Sequence, residues 1–202
     1  MILGISGTHG TGKSTVTQAL KKWIQIDESQ LSRSAQKALG WDKLSIAGES
    51  VENMWALQEA ILAAMYDRDV KLAASEYFIA TERTPADVWA YTVMWCLRLG
   101  IDPLTDPHAQ NYLGRCREMA NRYYAFIIVP MSDAIPFVVD PNRADLKSRE
   151  MVADIIDDFL DGGGHWVHTI FSTDRVERAK EAVDFLAEVK VKEANLDELF
   201  KE

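Results

Sequence analysis

The sequence predicts an α/β fold, a doubly wound parallel sheet of about five strands flanked by helices. Three observations carry this reading. Short apolar runs without polar alternation recur along the chain, as strands buried on both faces require. Between them lie longer stretches whose apolar residues return every three or four positions, the pattern of helices packed by one face. The octet GTHGTGKS, Gly7 to Ser14, fits the pattern GxxxxGK[ST] and stands between the first apolar run and the first helical stretch.

Taken in order, Met1 to Ser6 (MILGIS) reads as a buried strand, and Val16, Leu20, Trp23 and Ile24 fall at helical spacing just after the octet. Trp23 to Asp27 (WIQID) can form a second strand, whose polar end brings Asp27 and Glu28 to the carboxyl edge of the sheet. In open α/β sheets that edge is where ligands bind. Ser29 to Leu39 is helical and stops at Gly40, and Val51 to Val70 carries Met54, Leu57, Ile61 and Met65 on one helical face. Glu76 to Thr81 (EYFIAT) is the third strand, followed by Glu82, Arg83 and Thr84. Pro85 then stands where a helix begins, with Asp87 in its first turn.

Ala86 to Leu99 is an apolar helix, and Pro107 to Tyr124 is another that delivers the chain into a fourth strand, Ala125 to Pro130 (AFIIVP). Ala144 to Leu160 is helical up to Gly162, Gly163 and Gly164, after which Trp166 to Phe171 (WVHTIF) supplies a fifth strand. Val176 to Val189 closes the fold as a helix, and the charged last dozen residues are expected to fray. Residues 1–190 thus read as a single domain with a lid around 140–150, and 191–202 as a charged tail.

At 202 residues and 48% hydrophobic, the chain is long enough for one substantial core. A formal net charge of −9 gives no global attraction to a phosphate backbone, so a polynucleotide partner needs a local basic patch. A small nucleotide is the easier partner. Cys96 and Cys116 are far apart and lack zinc-type spacing, which makes them reduced thiols of the interior. No basic leader opens the chain and its apolar runs are too short or too interrupted to span a bilayer, so a soluble, cytoplasmic protein without membrane partners is expected.

The octet is the strongest functional signal. Gly7, Gly10 and Gly12 permit backbone angles that turn N–H groups inward, with Thr8, His9, Thr11 and Thr15 completing the cradle. Lys13 is placed to reach the β- and γ-phosphates of a nucleoside triphosphate, and Ser14 to offer its hydroxyl to Mg²⁺. The triphosphate then rests on a helix N-terminus. Phosphoryl transfer further asks for an acid that orients the metal, a group that orients the acceptor, and cations over the migrating phosphate. Glu82 follows a strand and can either hold magnesium through water or accept a proton, while Arg83 can clamp an acceptor phosphate; a surface ion pair is the alternative for both. One of Asp27 and Glu28 is the candidate general base.

Arg143 and Arg149, with Lys147 between them, lie in DPNRADLKSRE, where a lid over the triphosphate is expected; a solvated helix face is the plainer alternative. Arg33 is a weaker candidate for the acceptor phosphate. His165 and His168 fall on opposite faces of a strand and do not suggest a shared metal. Most of the six tryptophans read as packing groups, with Trp55 or Trp89 available to stack on a base.

GTHGTGKS, TERTPADVWAY and the RADLKSR stretch together resemble P-loop nucleoside and nucleotide kinases. The resemblance is to the thymidylate-kinase-like and NadR-like group, which includes deoxynucleoside monophosphate kinases of bacteriophages. It implies a P-loop NTPase fold and an enzyme that uses ATP and Mg²⁺ to phosphorylate a (deoxy)nucleoside monophosphate. In such kinases an acid–arginine pair after the third strand serves magnesium and acceptor, which matches Glu82 and Arg83, and an acid after the second strand matches Asp27 or Glu28. The lid arginines map to Arg143 and Arg149, and the loop around Ser172 to Arg175 to the adenine side. No thymidylate-kinase proline–arginine signature follows the second strand. Two other readings share the cradle: a kinase of a hydroxymethylated pyrimidine within DNA, its basic groove drawn from Arg115, Arg117 and Arg122, and a nucleotide-dependent regulatory ATPase. A homodimer is compatible with all three.

Overall fold

The computed structural model of the chain describes residues 1–131 and 146–199. Five strands, β1 (Ile2–Ser6), β2 (Gln25–Asp27), β3 (Ile79–Glu82), β4 (Tyr124–Ile128) and β5 (Val167–Thr169), pair in the order β2-β3-β1-β4-β5. Every pairing is parallel. The connections are α1 (Lys13–Leu20), α2 (Leu31–Ala38), a short 3-10 helix (Leu44–Gly48), α3 (Val51–Ala73), α4 (Pro85–Arg98), α5 (Pro107–Tyr123), α6 (Leu146–Asp161) and α7 (Arg175–Leu199). This is the doubly wound α/β sheet that the alternation of patterns predicts.

The pleat sends alternate residues to two cores. Leu3, Ile5, Ala125, Ile127 and Val129 pack against Val16 and Leu20 of α1 and Ala182, Phe185, Leu186 and Val189 of α7. Ile2, Tyr124, Phe126 and Ile128 face the larger core built with α3, α4, α5 and α6. With β1 and β4 buried along their whole length, polar alternation is absent from both.

Gly4 is a point of close approach on the larger-core face. A β-carbon there would stand 2.6 Å from the Thr84 methyl and 2.8 Å from the Tyr124 ring, both held by neighbouring elements. Gly4→Ala is therefore expected to lower stability by about 1–3 kcal/mol through overpacking, read as a lower denaturant midpoint at unchanged slope.

Several boundaries differ from the sequence reading: the third strand begins at Ile79 and not Glu76, and the fifth covers Val167–Thr169 of the expected Trp166 to Phe171. Trp23 and Ile24 belong to neither α1 nor β2: their amides donate to the Leu20 carbonyl in a turn that ends the helix, and Trp23 is 63% exposed. The third strand runs on to include Glu82, so this acid ends the strand and does not follow it. The last helix continues past Val189 to Leu199, because the charged stretch contains no glycine or proline and consists mainly of good helix formers. Among the described residues, no helix is long and apolar enough to cross a membrane.

Register fixes what converges at the carboxyl edge. Ile5 lies beside Glu82, Asp27 beside Thr81, and Ser6 beside Ile128. The ends of β2, β3 and β1 thereby bring Asp27, Glu82 and the glycine-rich octet to one edge of the sheet.

Candidate nucleotide-binding site

The octet forms the turn from β1 to α1. Gly7, Gly10 and Gly12 have φ of 142°, 73° and 92°, angles that a residue with a β-carbon rarely adopts. Gly7 has a second constraint, since a β-carbon there would lie 2.5 Å from the Val129 carbonyl oxygen. Gly12 caps α1 in the left-handed conformation with no side chain bonded to the first turn, and no acidic residue lies in that turn. The N-terminal amides and the positive end of the helix dipole are thus left to an anion. Thr8, His9, Thr11 and Lys13 are buried, whereas Ser14, in the first turn of α1, is exposed. The Lys13 ammonium donates to the carbonyl oxygens of Gly7 and Thr8 at 2.6 Å each. Thr11 Oγ1 donates to the Thr8 carbonyl at 3.0 Å, and the Thr15 amide to the Gly12 carbonyl at 2.9 Å.

Glu82 is tied to the helix that starts in the cradle. Thr17, one turn beyond Lys13, donates through Oγ1 to Glu82 Oε1 at 2.7 Å and to the Lys13 carbonyl at 3.0 Å. Arg83 has φ 68°, the only positive value among the described non-glycine residues, and its guanidinium lies 5.1 Å from the centroid of the Tyr91 ring. Tyr91 in turn meets His9 of the octet, with 3.4 Å between the hydroxyl and Nδ1. Thr84 and Asp87 form the capping box of α4, and Ser6 at the end of β1 donates to the same Asp87 carboxylate at 2.7 Å. The turn after β3 is thereby fixed against the start of the octet.

Asp27 and Glu28 part company. Glu28 pairs with Lys21 at the surface. Asp27 faces inward, accepting from Thr81 Oγ1 at 3.3 Å and from Ser29 Oγ at 2.5 Å, with Arg68 at 3.8 Å. Arg68, from α3, joins these ends: it donates to Asp69 at 2.8 Å, Thr81 at 3.0 Å, Tyr124 Oη at 2.7 Å and the Arg83 carbonyl at 3.2 Å. Burial pushes the Asp69 carboxyl above its ordinary range, against the lowering influence of Arg68 and the Tyr124 hydroxyl. Arg68 lies in no sequence motif, and Tyr91, the last residue of TERTPADVWAY, has nothing in that stretch to set its role. The Arg68 contact with Tyr124 spans 56 residues of the chain, and the Tyr91 contact with His9 spans 82.

Arg143 lies outside the described residues. Arg149 is in α6 and 3% exposed; it donates to the His9 carbonyl at 2.9 Å and to the Gly10 carbonyl at 3.3 Å. Arg33 is exposed on α2. After β5, the amides of Phe171 and Ser172 donate to Glu181 at 2.8 and 3.0 Å, and Asp174 caps the start of α7 through the amides of Val176 and Glu177. Trp55 and Trp89 are core residues, and the Trp55 ring is stacked on His108 at 3.9 Å, so neither is open to a base. His165 packs with Phe126 and Phe159 while His168 packs with Phe185, on opposite sides of the sheet. Arg115 and Arg122 line a cavity of about 300 Å³ between α3 and α5 together with Glu59, Asp67 and Glu118. Arg115 is bonded to Glu59. That groove is of mixed charge and not a basic track.

Among the described residues, no cluster of three or more His, Cys, Asp or Glu could hold a metal by itself. The cradle suits a cation that arrives with phosphates and keeps most of its waters, as Mg²⁺ does. Such an ion needs one or two protein oxygens, and the exposed Ser14 hydroxyl and the Glu82 carboxylate, anchored by Thr17, are of the right kind.

A parallel sheet in this order, with a glycine-rich octet opening α1 and an acid ending the neighbouring strand, defines a P-loop NTPase fold. The chain belongs to the AAA domain family, whose model matches residues 3–178. No curated protein matches the sequence. Among solved structures, it is similar to NadR in a complex with NR, at 14% identity and a TM-score of 0.62 over 90% of this chain. The chain spans 50% of the length of that NadR chain. It is also similar to thymidylate kinase from Ehrlichia chaffeensis, at 13% identity and a TM-score of 0.54, covering 92% of this chain and 98% of the other. At such identities the shared property is the fold.

Proposed function

We propose that this protein is a nucleotide kinase that transfers the γ-phosphate of ATP to a (deoxy)nucleoside monophosphate. The observation that carries the reading is the placement of Glu82, held by Thr17 beside the cradle, with Arg83 and Asp27 at the same edge. A switch ATPase needs the cradle and one metal-orienting acid, whereas an arginine and a second inward-facing acid beside them serve an acceptor.

In this reading the octet amides and Lys13 hold the triphosphate, the ammonium exchanging the Gly7 and Thr8 carbonyls for β- and γ-phosphate oxygens. Ser14 and Glu82 would hold Mg²⁺, which when bound neutralises charge on the phosphates. Arg83 binds the acceptor phosphate. As an acceptor phosphate oxygen bonds to the γ-phosphorus, the bond to the β-phosphate oxygen breaks and ADP leaves with its electron pair; when the acceptor phosphate carries a proton, Asp27, the inward-facing member of its pair, takes it. Both likenesses support a small-molecule acceptor, since one structure is a thymidylate kinase and the other a NadR bound to NR.

Purified protein with ATP, Mg²⁺ and a panel of nucleosides, nucleoside monophosphates and hydroxymethyluracil-containing DNA tests the proposal. ADP is expected to form only when a monophosphate is present. Transfer to DNA instead would move the acceptor to the modified pyrimidine, and ADP release indifferent to every acceptor would leave a regulatory ATPase.

A further inference from the structure

Cationic side chains hold the carbonyls of the octet, one from within it and two from outside. Lys13 takes those of Gly7 and Thr8, Arg149 those of His9 and Gly10, and Arg178 that of Thr11 at 2.9 Å. Five consecutive carbonyls thus accept from charged donors. The two arginines come from different helices, α6 and α7, and each is 3% exposed. Arg178 also donates through Nε to the Ser172 carbonyl at 3.0 Å, while Glu181, on the next turn of α7, accepts from the amides of Phe171 and Ser172. The segment after β5 and the tip of the octet are therefore both fastened to the first two turns of α7.

A peptide unit has its N–H and C=O on opposite sides, so a donor that fixes a carbonyl outward fixes the next amide inward. Charge-assisted bonds to backbone are the strong kind, and a guanidinium offers several donors in a rigid fork. We propose that Arg149 and Arg178 are positioning residues that hold the octet with its amides converged before any nucleotide arrives, Arg178 also fixing its distance to the segment after β5. Arg149 then acts on the loop backbone and not on the transferring phosphate. This inference rests on the nucleotide-binding reading above.

Calorimetric titration of the full chain with Mg·ATP and with Mg·ADP separates the roles. Methionine at either position keeps the unbranched stem and removes the donors. Arg149→Met and Arg178→Met are each expected to weaken ATP and ADP by the same factor, about 10- to 100-fold, because the cradle serves both nucleotides. Lysine, whose single ammonium cannot reproduce the fork, is expected to restore little of the loss; it also carries the test if a methionine variant does not fold. In the folded variants, amide exchange at residues 8–12 is expected to rise while β1 and β4 stay protected.

The inference is overturned by a variant that weakens ATP alone and recovers with lysine, which would show direct contact with the γ-phosphate. Unchanged affinities would overturn it as well. A wild-type protein that takes up neither nucleotide would instead remove the nucleotide-binding reading on which it rests.

Discussion

Replacing Lys13 with alanine is expected to abolish phosphoryl transfer and to leave the fold in place. The ammonium is the one side-chain charge the octet itself supplies, and in the proposed transfer it neutralises phosphate oxygens as charge moves from the γ- to the β-phosphate. Losing it should lower kcat/KM by about a thousandfold or more. The fold is expected to survive because β1 and α1 are joined by the apolar core of Leu3, Ile5, Val16 and Leu20, in which Lys13 has no part. Turnover assays run beside near-UV circular dichroism make the distinction. A folded, active alanine variant would remove Lys13 from the mechanism.

The second large effect is at Glu82. Glu82→Gln keeps the shape and keeps an oxygen that can accept the 2.7 Å bond from Thr17, so the end of β3 should not move. What disappears is the charge. If the carboxylate is used chiefly in the transition state, kcat falls by about 10²- to 10⁴-fold while ATP affinity changes by no more than about threefold. Equal losses in binding and turnover would make Glu82 a ground-state anchor, and unaltered turnover would take it out of the site.

How much of the molecule is legible in the sequence depends on the range of the forces involved. The octet is readable because its requirements are local: glycines where φ is positive, a lysine and a serine at the start of a helix. The strands are readable where burial is complete, as in Ile2–Ser6 and Tyr124–Ile128, and harder to bound where it is not. Gln25–Asp27 at the sheet edge is three residues long, and the apolar Trp23 and Ile24 before it place the expected boundary too early. Asp27 and Glu28 cannot be separated from sequence, because a period of two assigns them to opposite faces without saying which face is inner. Thr81 and Arg68 make Asp27 the inner one.

The arginines are the least legible. Arg149 stands out only for its charged neighbourhood, yet its partners are carbonyls 139 and 140 residues earlier. Arg178 sits in a helix rich in charge, and nothing in its local pattern sets it apart from the residues around it. Its contact with Thr11 spans 167 residues and exists only because α7 packs beside α1. Charge on a helix reads as a solvated face until the tertiary fold brings a loop of outward-facing carbonyls against it.

The central claim is that inward amides and one ammonium capture a nucleoside triphosphate at the head of α1. Isothermal titration of the folded wild-type chain with Mg·ATP tests it most directly, with Lys13→Ala as the paired sample. One saturable site per chain, lost or severely weakened in the variant, is the predicted result. Absence of binding heat for both ATP and GTP at several temperatures, from protein shown to be folded, would contradict the account.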